Sequence, residues 1–278
     1  MREFRIPVHG PGSQPEAAGE ATFDYVRMPT SMRTYYMPSL PDRDEVGTRE
    51  RAMRFLTELQ RTLASGDYGC RFDLGDFSKD DRELVDQVLG NGEVSIVADD
   101  RLQMQESVLT GVWRIQEVDG AGRLVRDLVE IADFPSDARA LAAGRPAADV
   151  RIPAAPPAGV LNAPAVLTEL LDRAAAPRPD TPPHVINLTL LPQTPEDLEF
   201  LAQVLGTGKV LVLSRGYGNC RVTSTATEGI WWVQYFNSQD ALVLNTIEVV
   251  DVPEVARAAP EDLADSATRL DRILEVYR

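Results

Sequence analysis

The stretch SRGYGNCRV, residues 214–222, holds one of only two cysteines in the 278-residue chain. A thiol between Arg215 and Arg221 admits three readings: a nucleophile, a metal ligand, or a small residue in a shaped turn. A cysteine nucleophile needs an activating base, usually histidine, although flanking cations can lower a thiol pKa without one. The only histidines are His9 and His184. His184 opens a strand-like run, HVINLTLLP, in the same repeat as Cys220, but the sequence does not place the two together. Cys70 is the one other cysteine and no C-x-x-C occurs, which excludes a self-contained zinc finger or a four-thiolate cluster. No metal site and no cofactor are expected. A cytosolic setting argues against a Cys70–Cys220 disulfide.

Two glycine patterns invite a phosphate-binding reading and fail it. In LGTGKV the phosphate-loop pattern needs glycine at 203 and a hydroxyl at 210, where Gln203 and Val210 stand. GYGNCR begins like a dinucleotide fingerprint, but Arg221 stands where the third glycine belongs, between two strands rather than before a helix. The carboxylates Glu130, Asp133, Glu248 and Asp251 lie at strand ends just before Pro135 and Pro253, positions that set turns more often than they transfer protons. The chain is therefore expected not to be an enzyme.

The elements that carry these residues occur twice. ELVDQVLGNGEV at 83–94 matches EFLAQVLGTGKV at 199–210 in seven of twelve positions. Downstream, TGVWRIQEV matches EGIWWVQYF and LVEIADFP matches TIEVVDVP, which aligns Trp113 with Trp231 and Glu130 with Glu248. The offset is 116 residues before the loop and 118 after it, so two residues are inserted around SRGYGNCRV. Lys209 of LGTGKV aligns with Glu93, a further argument against phosphate binding. Gly90, Gly92, Gly206 and Gly208 instead fit a tight helix-to-strand turn in each copy.

Periodicity predicts a unit of helix, strand, helix and three strands. Ala52, Phe55, Leu56, Leu59 and Leu63 recur at helical spacing, with Gly66 as the stop. Ser78 caps the next helix. The organisation expected is an arm rich in Pro, Met and Tyr at 1–47, a first repeat at 48–135, an Ala/Pro-rich semi-rigid linker at 136–162, and a second repeat at 163–278 that includes a C-terminal helix. That helix carries Leu263, Ala267, Leu270 and Leu274 on one stripe. The fold class is α+β, antiparallel strands with helices on one face.

Trp113 and Trp231 read as a repeated core position. Trp232, Tyr235 and Phe236 replace Arg114, Glu117 and Val118 of the first copy. Neighbouring strand residues face opposite ways, so Trp231 and Trp232 cannot share one core face. One of them is expected to cover a second interface: the other repeat, the arm or a partner.

A net charge of −15 and a pI near 4.6 argue against nucleic acid as a partner and favour a basic one. The sequence contains neither an apolar run long enough to insert in a membrane nor a secretory h-region, so a cytoplasmic protein is expected.

SRGYGNCRVTST, WWVQYFNSQDALVLNTIEVVDVPEV and the early MPTSMRTYYMPSLP together resemble the HupH/HyaF/HoxQ family of [NiFe] hydrogenase expression proteins. The resemblance spans nearly the whole chain. It implies a dedicated chaperone for the immature iron–sulfur small subunit of an uptake hydrogenase, acting before twin-arginine export, with the small-subunit precursor and other maturation proteins as partners. The client surface expected comprises Arg215, Gly216, Tyr217, Gly218, Asn219, Cys220, Arg221, Trp232, Tyr235 and Phe236, with Met28, Met32, Tyr35, Tyr36 and Met37 of the arm. The other reading is a thiol-based factor that transiently carries an iron–sulfur species through Cys220.

Overall fold

The computed structural model describes residues 49–176, 182–215 and 219–277. The arm, with Met28, Met32, Tyr35, Tyr36 and Met37, lies outside the described residues, as do Gly216, Tyr217 and Gly218.

The first half runs α1 (Glu50–Ser65), β1 (Arg71–Asp73), α2 (Lys79–Leu89), β2 (Val94–Ala98), β3 (Leu102–Glu106), β4 (Val112–Val118) and β5 (Leu124–Ile131). The second runs α4 (Ala163–Ala175), β6 (His184–Asn187), α5 (Pro195–Leu205), β7 (Thr207–Ser214), β8 (Asn219–Thr225), β9 (Ile230–Phe236) and β10 (Leu242–Val249). A short helix α3 (Ser136–Ala142) joins the halves, and α6 (Pro260–Glu275) ends the chain. All ten strands form one antiparallel sheet in the order β1-β5-β4-β3-β2-β7-β8-β9-β10-β6. The order mirrors itself about the central β2–β7 pair.

Local chemistry explains the helix ends. Gly66 takes a left-handed conformation (φ 72°) and stops α1. The Ser78 hydroxyl accepts from the Asp81 amide at 3.1 Å, and Thr194 caps α5 in the same way. Asp81 and Asp197 then reach back across their helix pairs. Asp81 Oδ1 accepts from Ala52 N, and Asp197 Oδ1 accepts from the amides of Leu161, Asn162 and Ala163 at 2.8–2.9 Å. Each carboxylate thus supplies a capping acceptor to the helix that precedes its own. Burial alone would raise both pKa values. The hydrogen bonds win and hold both below the ordinary carboxylate value.

Three apolar clusters form. One face of the sheet carries a cluster with α1, α2 and α6 at the first half and another with α4 and α5 at the second. The opposite face carries a central cluster of Ile96, Met104, Trp113, Ile115, Val212, Val222, Trp231 and Val233, covered by Phe134, Ala138, Val252 and Ala256. Trp113 and Trp231 are 0% and 1% exposed. Their indole N–H groups donate to Ala132 O and Asp251 O, and Phe134 meets both rings edge-on.

Four sequence readings need amendment. LQMQE and NCRVTST are strands β3 and β8, so each half has four strands after its second helix, not three. Five residues with two glutamines offer too short an alternation to read alone. Helices do not keep to one face, because α3 lies on the other. Residues 136–162 are no bare linker: Val150 and Val160 bury in the second-half cluster, and the Arg145 and Glu228 backbones bond to Ala226 and Arg145 respectively. Finally, α6 follows the second half in sequence, yet its stripe buries in the first-half cluster against α1.

Candidate functional site

The inserted stretch is a hairpin. In the first half the closing pair Ala98–Leu102 encloses residues 99–101. In the second the closing pair Ser214–Cys220 encloses 215–219. The two extra residues therefore lengthen one turn. Arg215 N donates to Glu93 O at 3.2 Å, and Asn219 Nδ2 donates to Asp240 Oδ1 at 3.2 Å, so the two ends of this turn are tied to the residue before β2 and to the β9–β10 turn. Gly92 and Gly208 mark where backbones touch: a Cβ would lie 2.3 Å from Ser107 O or 2.5 Å from Thr225 O respectively. Lys209 pairs with Asp99 at 3.4 Å, a structural use of the residue in LGTGKV.

Beneath this hairpin opens a cleft of about 500 Å³, whose walls include Glu106, Cys220, Tyr235, Glu254, Arg257 and Arg269. Its origin is a difference between the halves. After β5 the chain forms α3, which lies on β7 and β2. After β10 the corresponding residues make only a single 3-10 turn, Glu254–Ala256, before the chain leaves for α6. The shorter cover leaves the end of the sheet open.

Cys220 is 4% exposed. Burial pushes its thiol up to about 11; the Tyr235 hydroxyl counters this in part and Glu248 adds to it. Tyr235 rises to about 12, from burial and then from Cys220 and Glu248. The thiol is protonated at neutral pH and is no ready nucleophile. His184, the histidine weighed as a base for Cys220, is elsewhere. His184 Nε2 lies 2.8 Å from Glu169 Oε1 on edge strand β6, with β10 and β9 between it and β8. Both cysteines are free.

The candidate residues divide between the two faces of the sheet. Cys220 and Tyr235 are cross-strand partners on the central-cluster face. Arg221, Trp232 and Phe236 lie on the other, where the Arg221 guanidinium sits 5.5 Å from the Phe236 ring centre. Trp232 packs against the α4–α5 cluster, and its Nε1 donates to Asn245 Oδ1. The interface it was expected to cover is thus its own helix layer. By register, Trp232 and Asn245 occupy the places of Arg114 and Asp127, which form a two-pronged ion pair at 2.6 and 2.7 Å. The second half has exchanged a buried ion pair for a neutral hydrogen-bonded pair.

Sequence reading missed Glu106. It is 7% exposed, and burial pushes it up to about 7 although Gly111 N donates to its Oε1 at 3.0 Å; Glu93 and Asp262 contribute in the same direction as burial. The signal was there in LQMQE: at period two, Leu102, Met104 and Glu106 share a face. The recurring carboxylates of the first half are structural. Glu130 Oε1 accepts from Ser136 N, and Asp133 binds Arg139 and Arg257 at 3.1 and 2.9 Å. Among the described residues no group of three or more His, Cys, Asp or Glu is placed to hold a metal, and no helix is long and apolar enough to cross a membrane.

The family model described as HupH hydrogenase expression protein, C-terminal conserved region, matches residues 56–149 and 160–277. The chain belongs to the HupH family of hydrogenase expression proteins. The match covers both halves, the hairpin and α6. Curated relatives extend it over the N-terminal residues. A hydrogenase expression/formation protein HoxQ from Cupriavidus necator is 42% identical over 99% of this chain and 98% of its own. HupQ from Azotobacter chroococcum, named likewise, is 46% identical over 97% and 96%. The hydrogenase-1 operon protein HyaF of Escherichia coli is 30% identical over 99% and 97%. A solved structure of hydrogenase expression protein HupH from Thiobacillus denitrificans is 31% identical, covers 41% of this chain and 95% of its own, and superposes with a TM-score of 0.37.

Proposed function

We propose that this chain is a hydrogenase maturation factor: a cytoplasmic chaperone that binds the immature iron–sulfur small subunit of an uptake [NiFe] hydrogenase before twin-arginine export. It works by binding and not by catalysis. Family membership supports the hydrogenase role. The cleft beneath the β7–β8 hairpin is the single observation that supports binding at a defined place, because the second half there departs from the first in both turn length and cover. The client surface in this reading is the hairpin rim with Arg215 and Asn219, together with the Tyr235 wall of the cleft, and Tyr217 is the aromatic residue of the same stretch in sequence.

The thiol-carrier reading is the weaker one. A thiol 4% exposed and pushed up to about 11 is poorly suited to hand over iron or sulfur. Co-purification of the small-subunit precursor with tagged wild type, Tyr217→Ala and Tyr235→Ala tests the surface. Recovery is expected from wild type and reduced at least about tenfold in the variants, as for truncation of an aromatic anchor. Equal recovery from all three would reject the surface.

A further inference from the structure

The segments that follow β5 and β10 begin alike and then part. Pro135, Ala138 and Arg139 correspond to Pro253, Ala256 and Arg257 at the offset of 118 residues. Ala138 and Ala256 are both buried in the central cluster. Beyond Ala138 the helix α3 continues, and Leu141 and Ala142 pack on that cluster over β7 and β2. In the second half Pro260 stands where Ala142 stands. A proline there would break a helix begun at Glu254, and it opens α6 instead. Ala258 turns away and buries in the cluster on the opposite face. The place that Leu141 and Ala142 fill therefore has no counterpart. The cleft opens there, with Val94 of β2, Ser214 of β7 and Val255 of the 3-10 turn in its walls.

The cleft wall carries a second, independent difference. Glu106 and Ser224 are equivalent residues, each opposite the buried tryptophan of its half, Trp113 or Trp231. Ser224 spends its hydroxyl on the backbone, accepting from Val210 N at 3.1 Å and donating to Val210 O at 3.4 Å. Glu106 is more than nine-tenths buried, and only its Oε1 is engaged, by Gly111 N. Among the described residues its Oε2 has no hydrogen-bond partner and no lysine or arginine within 4 Å, and Glu106 stands in the cleft wall on the same face as Cys220 and Tyr235. A buried carboxylate oxygen without a donor is costly until one meets it. Glu93 and Glu254 line the same cleft. Against these carboxylates stand Arg269 and Arg257, and Arg257 already binds Asp133.

We propose that the cleft seats a short helical segment of a protein partner, with a leucine-sized apolar side chain in the place of Leu141 and a flanking basic side chain on Glu106. The first half shows the kind of occupant, because there the same fold covers the equivalent place with a helix of its own. The unused oxygen and the excess of carboxylates call for a cationic donor. An amphipathic helix laid in a groove on an apolar anchor is a common mode of peptide recognition. This deepens the proposed function and rests on it only for the identity of the partner.

The chain supplies its own probe. The α3 sequence PSDARALAAG, residues 135–144, carries Arg139 beside Leu141. A side-chain bridge between Ser136 and Ala140, both exposed in α3, would hold so short a peptide helical. The full chain is titrated with this bridged peptide, and with the same peptide carrying citrulline for Arg139, and followed by NMR. Saturable shifts are expected at Val94, Ser214 and Val255. Wild type should prefer the arginine form at least about tenfold, as for a hydrogen bond to a charged group. Glu106→Gln should bind both forms alike, and Ser214→Phe, which fills the cleft, should bind neither. No saturable binding by wild type, no preference for the arginine form, or a preference retained in Glu106→Gln would overturn the inference whatever the client does. The second arm adds the small-subunit precursor to the peptide complex. Displacement of the peptide is expected. A precursor that binds the chain and leaves the peptide seated would overturn the inference while the chaperone proposal stands. A precursor that does not bind would overturn the chaperone proposal alone, and the peptide arm would still decide the cleft.

Discussion

Glu106 and Cys220 show how burial sets chemistry at the scale of single residues. Glu106 titrates near 7 because the cleft wall removes it from water. Its folded pKa lies above the unfolded value, so the protonated form favours the fold. The linked stability is fully present below about pH 4.5 and is lost as pH rises through 7. Glu106→Gln keeps the acceptor for Gly111 N and should therefore be more stable than wild type at pH 8, by roughly 1–3 kcal/mol. That advantage should vanish at pH 4. Urea unfolding at the two pH values measures it, and an equal difference at both would be the wrong outcome. Cys220→Ser should leave hydrogenase maturation intact, since the thiol is protonated and buried; hydrogenase activity in cells complemented with the variant is the readout. Residue types and spacing single out Cys220 and Tyr235 as candidates. They were not enough to separate them from Arg221, Trp232 and Phe236, because which face a strand residue takes depends on where the strand begins.

At the scale of elements, the repeated helix pairs are clasped by Asp81 and Asp197. Asp197 is fully buried and accepts from three successive amides at the start of α4. Asp197→Ala strands those donors and should cost about 2–4 kcal/mol in urea unfolding. The folded pKa of Asp197 is depressed, so its contribution is present above the unfolded carboxylate pKa and fades as pH falls through the folded value. Acid should therefore narrow the gap between wild type and variant. The strand pairs carry a second prediction. Arg114→Met removes the two-pronged partner of Asp127, 2% exposed, leaves it as an ion pair only the longer contact with Arg82 at 3.9 Å, and should cost about 3 kcal/mol. Trp232→Ala in the neutral counterpart should cost about 3 kcal/mol through lost packing instead, with little dependence on salt. Most of these elements were legible from period and caps: α1, α4 and the stripe of α6 lie close to where periodicity puts them. Strands β3 and β8 were not, because polar residues interrupt short alternations. Helix α3 was not either, since an Ala-rich run before prolines resembles a spacer until something packs on it.

For the whole molecule, one continuous sheet joins the halves through β2 and β7, and α6 returns from the second half to complete the core of the first. Contacts far apart in sequence therefore hold the fold, and the halves should unfold as one unit. Deleting 260–278 removes Leu263, Leu270 and Leu274, which are 2%, 0% and 1% exposed, from the α1 side. Such a deletion should abolish cooperative unfolding of both halves, by calorimetry, and not of one alone. The recurrence of residues between the halves was legible in the sequence. The packing of α6 on the opposite half was not, because an amphipathic stripe does not say which core it will complete. The same symmetry exposes what differs, namely the longer hairpin and the cleft of the second half. The chaperone proposal rests on those differences. Its most direct test is the affinity of the purified full chain for the purified small-subunit precursor, measured by calorimetry beside the mature subunit. The account predicts saturable binding of the precursor, weakened at least about tenfold by Tyr235→Ala in a variant that remains folded at the assay temperature. No binding of the precursor, or equal binding by a stably folded Tyr235→Ala variant, would contradict it.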